Sequence, residues 1–152
     1  MKNKMMEILN CLASNEGAMI PRPASEEDIK RRCDDFIIVE IDIRLPGDYI
    51  DFLKMHNGFA WNGIELFGTD QVTDPETNYT LNDIVSFNDD IYDYWEDCST
   101  KHRVFIGRAD DDIYAYNFEN KKYEILDING RDVMEEYESF AEFFINTAGL
   151  RM

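Results

Sequence analysis

The order of periodicities along the chain predicts an α+β fold: a mainly antiparallel sheet with flanking helices, in a single domain over residues 1–152. Three observations carry this. Helix-period segments fill most of the first half and alternating, strand-period segments fill residues 103–128, so the two kinds are segregated rather than interleaved as βαβ units. Short polar turns separate the strand-period segments, and short turns join antiparallel neighbours. A chain of 152 residues that is 44% hydrophobic and 13% aromatic also carries enough apolar mass to bury a core without disulfides.

The elements follow in order. Met5 to Leu12 is amphipathic, with Glu7 and Asn10 interrupting the apolar run, which predicts a helix ending near Gly17 and packed on the domain rather than a signal peptide. Pro21-Arg22-Pro23 is a stiff connector. Ser25-Glu26-Glu27-Asp28 has the form of a capping box and opens a helix with Ile29, Cys33 and Phe36 inward. Phe36 to Ile43 is β-branched and partly alternating, which predicts passage into a strand before Pro46. Leu45 to Phe59 holds a short helix with both ends written in. Pro46 suits the first turn, Asp48 and Asp51 sit at the positive end of the dipole, and Lys54 and His56 at the negative end. Asn57-Gly58 stops it, and Leu45, Tyr49, Phe52, Leu53 and His56 form one packing face.

Asn62-Gly63 between Phe59-Ala60-Trp61 and Ile64-Glu65-Leu66-Phe67 is a strong hairpin signal. Thr69 to Asn78 reads as a polar loop. Thr80-x-x-Asp83 has capping-box form and predicts a helix through about Trp95, with Leu81, Ile84, Val85, Ile91 or Tyr92, and Trp95 inward. Strands are expected at 103–108, 113–118 and 123–128, with a second two-residue turn at Asn129-Gly130 leading to a short strand at 132–134. Ser139 caps the last helix, with Glu142 three residues on and Phe140, Phe143 and Phe144 docking it.

Leu45-Pro46-x-x-Tyr49-x-x-Phe52-Leu53-x-x-x-Asn57-Gly58, followed by a hairpin ending in Leu66-Phe67-Gly68, resembles the signature of the SMI1/KNR4 (SUKH) superfamily. Val104-Phe105-Ile106-Gly107, the Asp-rich turn and Ile113-Tyr114-Ala115-Tyr116 resemble its second block, and Ser139 to Phe144 its last helix. The resemblance runs from about Ser25 onward; the segment from Cys33 to Arg44 and the acidic helix after Gly68 fall outside it. It implies that Leu45, Pro46, Tyr49, Phe52, Leu53, Asn57 and Gly58 carry the fold. It also implies a function class: bacterial members act largely as immunity proteins that neutralise polymorphic or contact-dependent toxins, and eukaryotic relatives regulate cell-wall synthesis signalling.

Charge narrows the partners. Fifteen Lys and Arg against 32 Asp and Glu leave a net charge of −17 and a pI near 4.3. Such a field repels nucleic acid and anionic membrane and steers basic partners inward, although solubility alone also favours acidic surfaces. Three widely spaced cysteines, Cys11, Cys33 and Cys98, form no disulfide framework or zinc pattern and suit a reducing compartment. With no run of membrane-spanning length and no leader, a cytoplasmic location is expected.

Catalytic chemistry finds little footing. No Gly-x-Ser-x-Gly elbow occurs; His56 reads as a helix cap and His102, between Lys101 and Arg103, as an exposed strand-start residue. Cys98 lies beside Glu96 and Asp97, which blunts a thiol. Gly58, Gly63 and Gly68 lack a following Gly-Lys-Ser/Thr, and Asp110-Asp111-Asp112 lacks the alternation, central Gly and late Glu of a calcium loop. No catalytic residue, cofactor or metal ligand is therefore assigned.

The acidic segment is different. Glu65 to Cys98 holds ten carboxylates and no Lys or Arg. Asp89, Asp93 and Glu96 fall at i, i+4 and i+7, where like charges cost a few tenths of a kcal/mol per pair. With Tyr92, Tyr94 and Trp95 interleaved, the segment reads either as an interface, aromatics anchoring and acids steering, or as a solvated face whose aromatics all turn inward. The expected contact surface is Asp89, Asp90, Tyr92, Asp93, Tyr94 and Glu96, with Asp110, Asp111 and Asp112 on a neighbouring turn. Its expected partner is a protein toxin domain, basic as many toxin nucleases are. A regulatory adaptor with a non-toxin partner is the alternative, and a small hydrolase with paired carboxylates is a weaker one.

Overall fold

The computed structural model describes residues 2–15, 17–38, 44–95 and 100–151. Among the described residues, five α-helices, α1 (Lys2–Ala13), α2 (Glu26–Ile38), α3 (Gly47–Met55), α4 (Ile84–Tyr94) and α5 (Phe140–Thr147), accompany eight strands. The strands are β1 (Phe59–Trp61), β2 (Ile64–Leu66), β3 (Val72–Thr73), β4 (Thr80–Leu81), β5 (Arg103–Ala109), β6 (Asp112–Asn117), β7 (Lys122–Asp127) and β8 (Val133–Tyr137). Six form one antiparallel sheet in the order β1-β2-β5-β6-β7-β8; β3 and β4 form a separate two-stranded ribbon. The α+β class expected from the sequence is the observed one.

Strand alternation sends the two faces of the sheet to different cores. One face carries Val104, Ile106, Tyr114, Tyr123 and Ile125 against α1, α3 and α5. Its centre is aromatic: Phe140 lies 5.3 Å from Tyr49 and 4.9 Å from Phe52, ring centroid to centroid. The other face carries Phe105, Ile113, Ala115 and Leu126 under Ile91 of α4 and its C-cap residue Trp95.

The Leu-Pro…Asn-Gly stretch is explained by its contacts. The fully buried Tyr49 hydroxyl donates to the carbonyls of Phe67 (2.5 Å) and Ile106 (3.3 Å), joining α3 to the sheet. Asn57 Oδ1 accepts from the Thr69 N–H and its Nδ2 donates to Thr69 Oγ1, both at 2.7 Å. Gly58 has φ +108°, a conformation that favours glycine. Gly68 is fixed by space, since a Cβ there would lie 2.2 Å from the Asn57 carbonyl oxygen. Asp48 accepts from the Tyr123 hydroxyl and, at 2.7 Å, from the Phe140 N–H at the start of α5.

Several expected boundaries move. Asn62 and Gly63 both have positive φ, 47° and 84°, as the first hairpin turn requires. At Asn129-Gly130 the two-residue turn is replaced by a longer loop: Asp127 Oδ1 accepts from the Asn129 N–H, and the positive φ falls on Arg131 at 62°. Strand β8 accordingly starts at Val133 and runs to Tyr137. Thr80 opens no helix; it lies in β4, and the cap is Asp83, whose carboxylate accepts from the Ser86 N–H at 2.8 Å. Pro46 is the N-cap residue of α3 rather than its first turn, and His56 is the C-cap, as its sequence position indicates. Helix α2 continues through Ile38, so the expected strand cannot begin at Phe36; residues 39–43 lie outside the described residues. Helix α1 ends at Ala13 and lies against α5.

Candidate functional site

The site is built around α4. Asn88, fully buried, fixes its rotation: Nδ2 donates to the carbonyls of Ile84 (2.7 Å) and Phe105 (2.8 Å), and Oδ1 accepts from the Phe105 N–H (2.8 Å). Pairing of β2 with β5 ends at Gly107, so Asn88 supplies Phe105 with bonds that a longer strand would otherwise make. One turn on, the Tyr92 hydroxyl donates to the Arg103 carbonyl at 2.6 Å, and burial pushes its pKa up to about 12. Trp95 is 2% exposed, edge-on to Phe105 at 5.4 Å and covered by the Arg131 guanidinium at 4.8 Å.

This rotation sorts the expected contact residues. Tyr92 leans inward and is half-buried, its hydroxyl engaged by the Arg103 carbonyl, and Trp95 beyond it is buried. Tyr94 turns outward and is 78% exposed. Asp90 and Asp93 are exposed and Asp89 is half-buried; Glu96 lies outside the described residues. Asp110 and Asp111 form the β5–β6 turn and Asp112 opens β6. There Asp110 Oδ2 accepts from Arg151 Nη2 at 2.9 Å, and Arg151 Nη1 donates to the Asn62 carbonyl at 2.9 Å, which ties this turn to the β1–β2 hairpin rather than to α4. Asp112 titrates above the ordinary carboxyl range because it is partly buried and faces Asp110, Asp127 and Asp111, with Arg151 opposing the shift.

The basic-free run from Glu65 to Cys98 is less bare in space than in sequence. Arg108 Nε donates to Glu65 Oε1 at 2.7 Å, Arg31 Nη2 to Asp70 Oδ1 at 2.9 Å, and Arg32 Nη2 to Asp83 Oδ1 at 2.5 Å. All three arginines come from outside the run. Two of the carboxylates they answer, Glu65 and Asp83, are buried and Asp70 is exposed, as are Asp90 and Asp93 on α4.

Asp90 and Tyr94, four residues apart, share one wall of a cleft of about 530 Å³ with Phe87 and Ile91. The opposite wall is Gln71, Thr80 and Asn82 from the ribbon and its flanks, and the floor is Glu65, Phe67 and Arg108. The Phe67 and Phe87 rings lie 4.4 Å apart. Burial and the adjacent Glu65 carboxylate raise the pKa of Tyr79, the ribbon residue beside this floor. Sequence reading missed Phe87, Arg108 and the ribbon wall. The Glu65–Arg108 pairing needs the β2–β5 register, which no local signal announces. The cleft does hold two carboxylates, as a paired-carboxylate hydrolase would need, but Glu65 is already engaged by Arg108. Among the described residues no group of three or more His, Cys, Asp or Glu is placed to hold a metal ion, and no helix is long and apolar enough to cross a membrane.

The SMI1 / KNR4 family (SUKH-1) model matches residues 23–146, which covers all but the N-terminal helix and its connector and the final six residues. The chain matches no curated protein.

Proposed function

The chain belongs to the SMI1/KNR4 family, SUKH-1, and from that premise we propose that it is an immunity protein: it binds a polymorphic or contact-dependent toxin domain and blocks it without catalysis of its own. The observation that carries the reading is the family match over most of the chain, in a family whose bacterial members act largely in this way. The net charge of −17 supports a basic toxin as the target, nucleases with cationic clefts being the class it suits best. The outward face of α4 supports the same reading. Asp90 and Asp93 are exposed there, and Tyr94 offers a rigid aromatic that costs little side-chain entropy to fix.

Co-expression with toxin domains, beginning with any encoded beside this gene, tests the function by rescue of growth. The purified pair then tests the mechanism. Steering by an acidic surface predicts an association rate that falls steeply between low and physiological ionic strength, where the Debye length shortens from about 30 Å at 0.01 M to about 8 Å at 0.15 M. Binding without rescue, to a partner that is not a toxin and with little salt dependence, would favour the adaptor alternative.

A further inference from the structure

We propose that the cleft between α4 and the β3–β4 ribbon is an arginine pocket, in which Phe87 and Tyr94 flank the guanidinium of a basic protein partner and Asp90 neutralises it. The proposal rests on the immunity reading and deepens it by naming where, and by which side chain, the partner is held.

Charge comes first. Among the described residues lining the cleft, the one cation is Arg108, and it is answered at 2.7 Å by Glu65, which is 7% exposed. That pair forms a neutral floor. Asp90 remains on the α4 wall, exposed, opposite the neutral Gln71, Thr80 and Asn82. With the floor pair neutral, the lining carries one net negative charge, which attracts an incoming cation and repels an anion.

The shape then selects the cation. Phe87 and Tyr94 present aromatic surface along the α4 wall, and the Phe87 ring meets Phe67 of the floor at 4.4 Å. Flat aromatic surface beside a carboxylate suits a planar, weakly hydrated guanidinium, which stacks and bonds bidentately, better than a compact, strongly hydrated ammonium. A space of about 530 Å³ is that of a ligand site, roomy enough for an arginine together with the chain on either side of it. Tyr94, 78% exposed in the free protein, is the group that gains most by being covered.

The probe is the peptide acetyl-Gly-Arg-Gly-amide, titrated into the full chain while backbone amide shifts are followed by NMR, with acetyl-Gly-Gln-Gly-amide as the neutral control. Saturable shifts confined to Phe87, Asp90, Ile91, Tyr94, Thr80 and Asn82 are expected with the arginine peptide only. Affinity should fall about tenfold in Asp90→Asn and in Tyr94→Ala, the size of one lost charge-assisted or aromatic contact, and stay unchanged in Asp93→Asn. Both positions are exposed, so the variants fold, which unchanged amide spectra outside the cleft would verify. Shifts spread along every acidic surface, equal response to the glutamine peptide, or equal loss in Asp93→Asn would each overturn the pocket. The growth assay separates the two ideas. Rescue by the Asp90→Asn/Tyr94→Ala double variant equal to that by the native chain sinks the pocket and leaves the immunity function standing. Failure of the native chain to rescue, with peptide binding intact, sinks the immunity reading alone.

Discussion

Replacing Asn88 by Ala removes the group that holds α4 at its angle on the sheet. The Phe105 N–H and C=O, bonded to Asn88 at 2.8 Å each, then lose their partners within a segment whose side chain is fully buried. An unsatisfied buried backbone group costs about 1–3 kcal/mol, so two give roughly 2–6; with some recovery by water entering the vacated space, a loss of about 3 kcal/mol is expected. Urea denaturation followed by far-UV circular dichroism and by tryptophan fluorescence, to which Trp95 beside Phe105 contributes, measures it, with an unchanged slope confirming that stability alone has moved. Asn88→Asp sharpens the test. Its carboxylate would still accept from the Phe105 N–H but would face the carbonyls of Ile84 and Phe105 in place of the amide donor. A carboxyl so placed has its folded pKa raised above the unfolded value of about 3.9, so the folded state holds the proton more tightly. Stability is then greatest below about pH 4 and declines as pH rises through the folded pKa, a trend the Ala variant lacks. A loss under about 1 kcal/mol in Asn88→Ala, or an Asp variant insensitive to pH, would refute the claim that these bonds fix α4.

Two further outcomes follow from the geometry. Gly68→Ala puts a Cβ 2.2 Å from the Asn57 carbonyl oxygen, a backbone atom with no freedom to retreat, whereas Gly47→Ala meets nothing within 4 Å. The first should cost about 3 kcal/mol, roughly 10 °C in a thermal melt, and the second should be neutral or slightly stabilising. At the β5–β6 turn, Asp112 has its pKa raised by burial and by the neighbouring carboxylates, so its folded-state contribution is favourable at low pH and is lost as pH rises through the folded pKa. Arg151 holds that pKa down; Arg151→Ala should move it further up in an NMR titration and make the stability deficit larger at neutral pH than below about pH 4.

What the sequence alone determined was local. Caps, turn residues and periodicity act over a few residues, so Ser139 as a cap, Asn62-Gly63 as a hairpin turn and the aromatic face of α5 were all legible, and with them the α+β class. The family stretch was legible as a pattern, although its reason was not: Tyr49 matters because of carbonyls 18 and 57 residues away. Even strong local signals gave way where a neighbour offered more. Asn129-Gly130 lost to the Asp127 side chain, and Thr80 lost to β3. Tertiary structure alone decided the candidate site. A helical period of 3.6 leaves Ile91 and Tyr92 nearly equivalent as inward positions, and bonds from Asn88 and Tyr92 to the backbone of β5 settled the roll that turns Tyr94 out. In sequence the run from Glu65 to Cys98 is bare of cations, because sequence distance hides Arg31, Arg32 and Arg108. Charge acts through space, and only the register of β2 on β5 and the packing of α2 near α4 bring those arginines to Glu65, Asp70 and Asp83, leaving Asp90 free beside an aromatic cleft.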